Sequence, residues 1–173
     1  MRDRWVDAGW ARSAKLEVEL PPFVWLTSRG STIAGGSFRT WQPNHGLVRH
    51  LEAVTNVRLL LERQLRLGRW ECERALAKKA RSRSSYRDHL PDAILHGDAK
   101  TAIEVELTLK SRKRVDQIIL DLGIAYDQVW YFAPPRLLPR LRERAAEMPH
   151  ANLTVYRYPP LAAEVASAMY RPA

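Results

Sequence analysis

Residues 91–110, PDAILHGDAKTAIEVELTLK, carry the pattern that decides the fold. Two apolar runs, LPDAIL and TAIEVELTL, flank the segment HGDAK, in which Gly97 and Asp98 are typical of a tight turn. The pattern predicts two neighbouring strands joined as an antiparallel hairpin.

The second strand of this hairpin places its acids on one face. Side chains two residues apart on a strand lie on the same face, about 7 Å from each other. Glu104, Glu106 and Lys110 are therefore expected on one face, which reads as polar throughout, with Ile103 and Val105 on the other. Asp92, at the start of the first strand, is expected to come alongside the two glutamates.

Three carboxylates with a lysine suit a hard divalent cation, Mg²⁺ or Mn²⁺, bound through oxygen ligands. Such an ion polarises a phosphodiester and helps to generate a hydroxide nucleophile, and Lys110 would stabilise developing charge or orient the attacking water. The candidate ligands are Asp92, Glu104 and Glu106. The alternative is that EVELT is an amphipathic strand whose glutamates face solvent and bind nothing.

The flanking sequence predicts the other elements through its apolar spacing and its turn residues. In chain order these are a helix over 43–67 capped by Asn44 and ended by Gly68, a strand over RWECERAL, an exposed basic loop over AKKARSRSSYRD, the hairpin, a helix up to Tyr126, a strand over QVWYFA, a helix over RLLPRLRERAAEM, a strand over NLTVYRY and a helix over PLAAEVASAM. This order predicts an α/β domain with helices on both faces of a mixed sheet.

The N-terminal part of the chain has a different pattern. PPFVWLTSRGSTIAGGSFRTW shows an apolar run, a turn and a weaker second run, which predicts a hairpin. We therefore expect an N-terminal extension over 1–42, followed by the α/β domain over 43–173.

The composition favours an anionic partner. The 173 residues include 28 Lys and Arg against 19 Asp and Glu, a net charge of +9, and such a surface attracts polyanions through counterion release, with DNA the leading candidate. No apolar run approaches the roughly 20 residues of a membrane span. The single Cys72 cannot form an internal disulfide, and the N-terminus does not resemble a signal peptide, so a cytoplasmic setting is expected.

Basic segments border the acids on both sides in the sequence. They are expected either to bind the nucleic-acid backbone, with Tyr86 available to stack on a base, or to form a solvated loop and a helix start. The candidate nucleic-acid-binding residues are Lys78, Lys79, Arg81, Arg83, Arg87, Arg112, Lys113 and Arg114. Arg112, Lys113 and Arg114 at a helix N-terminus oppose the helix dipole unless an anion lies nearby.

PD at 91–92 followed by EVE at 104–106 resembles the signature of the PD-(D/E)xK nuclease superfamily, with glutamate in place of its lysine. The resemblance implies a restriction-endonuclease-like core of helix, three antiparallel strands, helix and strand. It implies metal binding by Asp92, Glu104 and Glu106. Lys110 is then either a displaced lysine of the motif or the first residue of the basic segment KSRKR.

Two further acids fit the superfamily less directly. Glu52 on the long helix matches the extra acidic ligand that the first core helix often supplies, and Glu73 on the first strand has similar standing. For both, the alternative is an exposed glutamate among basic residues.

A narrower resemblance covers about residues 23–133. VWLTSRG, NHGLVRHLEAVTNVRLLLE, WECERAL, HLPDAIL and AIEVELTLKSRKRVDQIILDL are similar, in this order, to the replication-relaxation family. The resemblance implies a role in plasmid replication or DNA mobilisation, together with other proteins of that system, and a winged-helix module of which WLTSRG would be the wing end. His50 and Asn56 match polar positions on the family's helix.

The sequence thus predicts a DNA-binding protein that is a divalent-metal-dependent endonuclease. One alternative is a DNA-binding accessory protein that keeps the nuclease fold without catalysis, and another is a module whose basic face binds an acidic protein. The chain lacks a phosphate-binding P-loop motif and zinc-like Cys and His spacing. Whether it forms a homodimer stays open.

Overall fold

The computed structural model of the protein describes residues 1–36, 40–82 and 89–169. The chain divides into two compact units, the N-terminal unit Met1–Leu51 and the C-terminal unit Glu52–Ala173. The division falls after Leu51, whereas the sequence placed it after residue 42. Within the described ranges, no helix has both the length and the apolar character needed to cross a membrane.

The N-terminal unit is built around a small two-stranded sheet. Its elements are α1 (Arg2–Asp7), β1 (Ala11–Ala14), β2 (Phe23–Leu26) and α2 (Ser28–Ile33). β1 and β2 are antiparallel, with Arg12 opposite Trp25.

The hairpin predicted within PPFVWLTSRGSTIAGGSFRTW is wrong in its second strand. The predicted turn and the start of the weaker run form α2, because the Thr27 hydroxyl accepts a hydrogen bond from the Gly30 backbone N–H (3.1 Å) and caps a helix there. Residues 37–39 of the weaker run lie outside the described residues. Gly30 also lies so close to the Trp10 carbonyl that a Cβ would come within 1.8 Å of its oxygen. The partner of β2 is instead β1, which precedes it in the chain.

The long helix predicted over 43–67 is confirmed as a continuous helical segment. It consists of a 3₁₀ turn (His45–Leu47), α3 (Val48–Arg58) and a π-helical turn (Leu59–Gln64). The Asn44 side chain accepts a hydrogen bond from the Gly46 N–H (2.8 Å) at its start. Gly68, with φ +155°, follows its end, as the sequence predicted.

The C-terminal unit contains a mixed five-stranded sheet, which confirms the predicted α/β class. Neighbouring strands follow the chain order: β3 (Arg69–Cys72), β4 (Ala93–His96), β5 (Lys100–Val105), β6 (Gln128–Ala133) and β7 (Leu153–Arg157). β4 is antiparallel to both β3 and β5, whereas β6 is parallel to both β5 and β7.

Helices pack on both faces of this sheet, as predicted. They are α3 together with α4 (Glu73–Ser82), α5 (Arg112–Ala125), α6 (Leu138–Glu147) and α7 (Ala162–Met169). One apolar cluster joins Ile103 of β5 to Val57 of α3 and Val165 of α7. The other joins Ala102 of β5 to side chains of α5 and α6.

α4 occupies the place of a predicted loop. The strand predicted over RWECERAL ends at Cys72, and α4 includes the first part of AKKARSRSSYRD. The residues ERALAKKA are strong helix formers, and Leu76 is buried, so this segment gains both helical propensity and apolar packing. Arg83, Tyr86 and Arg87 lie outside the described residues.

Candidate active site on the central sheet

The structure brings the three predicted acids to one end of the central strand. Asp92 directly precedes β4, Glu104 lies near the end of β5, and Glu106 follows β5 immediately. Because Ala93 pairs with Ile103, the antiparallel register puts Asp92 alongside Glu104. Asp92 also accepts a hydrogen bond from the Val105 backbone N–H (2.8 Å), which ties the start of β4 to the end of β5.

The acidic face of β5 is buried, so the alternative that EVELT is an amphipathic strand whose glutamates face solvent is wrong. Glu104 is only 3% exposed and Glu106 only 4%. Glu104 shares its face with Ala102, which belongs to the apolar cluster beneath α5 and α6. β5 is the middle strand of five, so helices cover both of its faces, and the alternation of residue types within it could not show this.

Glu104 is held by a histidine that the sequence analysis did not single out. His89 Nε2 lies 2.8 Å from Glu104 Oε1, and His89 Nδ1 lies 3.5 Å from an Arg114 guanidinium nitrogen. Burial and, to a lesser degree, the charge of Asp92 together raise the pKa of Glu104 to about 7, against the lowering effects of His89 and Lys110. Glu104 can therefore exchange a proton near neutral pH.

Glu106 is joined to the predicted lysine. Lys110 Nζ lies 2.5 Å from Glu106 Oε2, an ion pair without the angles of a hydrogen bond. The chain has already left β5 at this point, so Lys110 reaches the acid from the segment between β5 and α5. The structure thus places Lys110 with the acids, whichever of its two predicted roles applies.

Tyr131 completes the buried part of the site. It is the register partner of Glu104 on β6 and is fully buried. Burial raises the pKa of its phenol well above the usual range, and the nearby charges of Glu104, Glu106 and Asp92 raise it further. Within the described residues its hydroxyl makes no hydrogen bond, and such orphaned buried atoms often mark a place that a ligand or water completes.

The carboxylate oxygens of the three acids are chemically suited to a hard cation, but their positions do not form a ready-made binding site. Carboxylate oxygens are the ligands that Mg²⁺ and Mn²⁺ prefer. In the part of the chain that the structure describes, however, no three His, Cys, Asp or Glu side chains are grouped so that they can hold a metal ion. Glu104 is bonded to His89, Glu106 is paired with Lys110, and Asp92 is bonded to the Val105 N–H.

The structure does not add the two extra acids to this group. Glu52 accepts a hydrogen bond from the Tyr158 hydroxyl (3.0 Å) and another from Asn56, on the sheet face that α3 covers. Glu73 is exposed at the start of α4, and only its backbone N–H reaches the site, donating to the Asp92 carbonyl (3.0 Å). His50 lies on α3 in the N-terminal unit.

A third buried acid, Glu71 on β3, was not expected. It is 6% exposed, its Oε2 lies 2.7 Å from His96 Nε2, and it forms an ion pair with Lys79 of α4. Burial alone would raise its pKa, but the hydrogen bonds from Lys79 and His96 outweigh burial and lower it. Burial raises the pKa of the Tyr126 phenol, and the charges of Glu71 and Glu104 raise it further.

Several of the predicted basic residues contact acids or a histidine, and several are exposed. Arg112 pairs with Glu147 (3.2 Å), Arg114 contacts His89, and Lys79 pairs with Glu71. The Ser111 hydroxyl caps α5 by accepting from the Arg114 N–H (3.3 Å). Arg81 and Lys113 are exposed, as is Lys78.

The buried carboxylates, the histidine and the lysine lie together at one end of the central strand, next to the start of α5. Comparison of the chain with models of protein families, with curated proteins and with solved structures found no match.

Proposed function

We propose that the protein is a DNA-binding, divalent-metal-dependent endonuclease of the PD-(D/E)xK type. The observation that carries the proposal is the convergence of Asp92, Glu104 and Glu106 with Lys110 at one end of the central sheet. A net charge of +9 and exposed Lys78, Arg81 and Lys113 supply the attraction to a phosphate backbone.

The arrangement of the elements supports a restriction-endonuclease-like core. α3, β3, β4, β5, α5 and β6 follow one another in the order helix, three antiparallel strands, helix and strand once the short α4 is set aside. Several segments of the sequence are similar to the replication-relaxation family. On that basis we also propose that cleavage serves plasmid replication or DNA mobilisation.

In this proposal Asp92, Glu104 and Glu106 would hold Mg²⁺ or Mn²⁺. The bound ion would polarise the phosphodiester and make hydroxide accessible at neutral pH. Lys110 would leave Glu106 and stabilise negative charge on the phosphate, and His89 would orient the Glu104 carboxylate. Arg114, which contacts His89, stands at the start of α5 where a phosphate would also relieve its conflict with the helix dipole.

A second candidate function is DNA binding without catalysis on the same fold. Two observations favour it. Each acid already contacts another group of the same chain, and the described residues contain no preformed group of three metal ligands. In that case the acids, His89 and Lys110 form a structural network in the sheet.

Cleavage of supercoiled plasmid distinguishes the two. We expect wild-type protein to nick the plasmid with Mg²⁺ or Mn²⁺ and not with chelator. Asp92→Asn and Glu104→Gln should lower the nicking rate at least about 100-fold, because metal ligands and their outer partners are worth roughly 10- to 100-fold each or more. Glu143→Gln, an exposed acid on α6, is the matched control and should cleave like wild type.

Binding of a labelled duplex by each variant, in chelator, completes the test. Metal-dependent nicking that the two site variants lose while they still bind DNA supports the nuclease. Equal DNA binding by all proteins with no nicking under any condition would overturn it and leave the second candidate. A protein that binds no DNA at low salt contradicts both.

A further inference from the structure

The N-terminal unit contains a groove that the proposed nuclease site does not use. Two adjoining cavities, of about 490 and 630 Å³, share the side chains of Arg12 and Trp25, which are register partners on β1 and β2. Arg29 and Trp41 also line the first cavity. We call the surface formed by Arg12, Trp25, Arg29 and Trp41 the indole groove.

The indole groove carries positive charge without an acidic partner among the described residues. Arg12 and Arg29 are exposed, and neither makes an ion pair within the part of the chain that the structure describes. Arg49 of the same unit, in contrast, is paired with Glu17 (3.0 Å) and Glu19 (2.9 Å). Among the described residues that line the two cavities there is no Asp or Glu. The groove therefore offers two guanidinium groups to an anion.

The groove also offers aromatic surface to the same ligand. Trp41 is 38% exposed and Trp25 is half-buried, although tryptophan usually buries most of its large apolar surface. Ser28 and Thr40, whose hydroxyls lie 2.7 Å apart, add hydrogen-bonding groups to the rim. Exposed indoles beside arginines suit a surface that stacks flat rings.

Single-stranded nucleic acid is the partner that matches both properties. Its phosphates pair with arginine, and its unpaired bases present flat faces to aromatic side chains. A duplex hides those faces within its own base stack, and an acidic peptide supplies charge with few rings. The cavity volumes are in the range of ordinary small-ligand sites and suit one or two nucleotides.

We propose that the indole groove binds single-stranded nucleic acid, with bases stacked on Trp25 and Trp41 and phosphates held by Arg12 and Arg29. This site is separate from the acids of the C-terminal unit. It requires neither a metal ion nor cleavage, so it stands whether or not the protein is a nuclease.

The test is equilibrium binding of the full-length chain to fluorescein-labelled oligothymidylate in chelator, followed by fluorescence anisotropy. Trp41→Leu and Trp25→Leu should each weaken binding about fivefold to hundredfold, the loss typical of an aromatic stacking partner. Arg12→Gln and Arg29→Gln should each make the slope of log K against log salt concentration less steep by about 0.7. A duplex of the same length should lose little affinity in the two tryptophan variants.

Matched controls come from the same unit. Trp5, 41% exposed on α1, and Arg4 of the same helix do not line the groove. Trp5→Leu and Arg4→Gln should therefore bind the oligonucleotide like wild type. An oligouridylate arm identifies the natural strand, since tighter binding of oligothymidylate assigns DNA and tighter binding of oligouridylate assigns RNA.

Three results would overturn the proposal. One is unchanged oligonucleotide affinity in Trp41→Leu and both arginine variants, which are surface changes that should leave the fold intact. Another is an equal loss in the Trp5 and Arg4 controls. The last is equally tight binding of polyglutamate, with the same dependence on Trp41, which would assign the groove to an acidic peptide.

Discussion

Glu104 is an ionisable side chain that the fold buries almost completely. A carboxylate in a site that is 3% exposed loses most of its hydration, so its neutral form is favoured unless a cation compensates. His89 supplies part of that compensation, and Asp92 acts against it. The residue that makes the site chemically useful is therefore also one that costs the fold free energy at neutral pH.

This conflict predicts the pH dependence of stability. Because the folded state raises the pKa of Glu104 to about 7, its contribution to stability is present below the ordinary pKa of 4.5 and is lost as the pH rises through about 7. Glu104→Gln cannot lose a proton, so we expect it to be more stable than wild type at pH 8 by on the order of 1–3 kcal/mol, and no more stable at pH 4.5.

Urea unfolding at a series of pH values measures this difference. The exposed Glu143→Gln should give a curve parallel to that of wild type. A Glu104→Gln variant that is less stable than wild type at pH 8 would show that the ionised carboxylate is fully compensated by its partners.

Among elements, the edge of the sheet depends on one buried ion cluster. Glu71 of β3 holds Lys79 of α4 and His96 of β4, so three consecutive elements meet at a single carboxylate. α4 has few apolar side chains to anchor it, since Leu76 is its only member among the buried core residues of the described chain. The contact between Glu71 and Lys79 therefore contributes much of the stability of α4 against the sheet.

We expect Glu71→Gln to lower the free energy of unfolding at pH 7 by about 1–3 kcal/mol, because a buried charged partner is lost. The pKa of Glu71 is lowered in the folded state, so its contribution is present above the ordinary pKa of 4.5 and is lost as the pH falls through the lower folded value. The difference between variant and wild type should therefore shrink in acid.

Thermal unfolding at pH 7 and pH 3 provides the measurement, with Asp98→Asn in the exposed β4–β5 turn as the control. A penalty that stays the same at both pH values would mean that shape, rather than charge, makes Glu71 important.

For the whole molecule, the excess of positive charge is spread over both units, and part of it is already paired with acids. Arg112 is already paired with Glu147 and lies 4.0 Å from an Asp116 carboxylate oxygen. The neighbouring Lys113 is exposed and has no ion pair within the described residues. The formal charge of the residues at the start of α5 is therefore larger than the positive charge that could pair with a phosphate there.

Substitution of Lys113 and of Arg112 gives a direct test with duplex DNA. We expect Lys113→Gln to make the slope of log K against log salt concentration less steep by about 0.9, the effect of one lost phosphate contact. Arg112→Gln removes the same charge and should change the slope less, because its guanidinium is already neutralised. Equal changes in the two variants would show that net charge, and no particular contact, drives binding.

The sequence by itself determined the local elements and the acids that the hairpin gathers. The alternation in TAIEVELTL, the turn residues in HGDAK and the apolar spacing over 43–67 are short-range patterns, and the strands and helices they predict are present. The register of a short hairpin then fixes Asp92 beside Glu104 without further information.

The tertiary structure alone decided which of these residues are buried and what they touch. α5 and α6 cover Glu104, His89 approaches it from before β4, and Tyr131 comes from a parallel strand 27 residues on from Glu104. It also made a helix of Glu73–Ser82, where the sequence indicated the end of a strand followed by a loop. Burial, ion pairing and pKa depend on distances between segments that are far apart in the chain. Residue spacing within one segment cannot predict those distances.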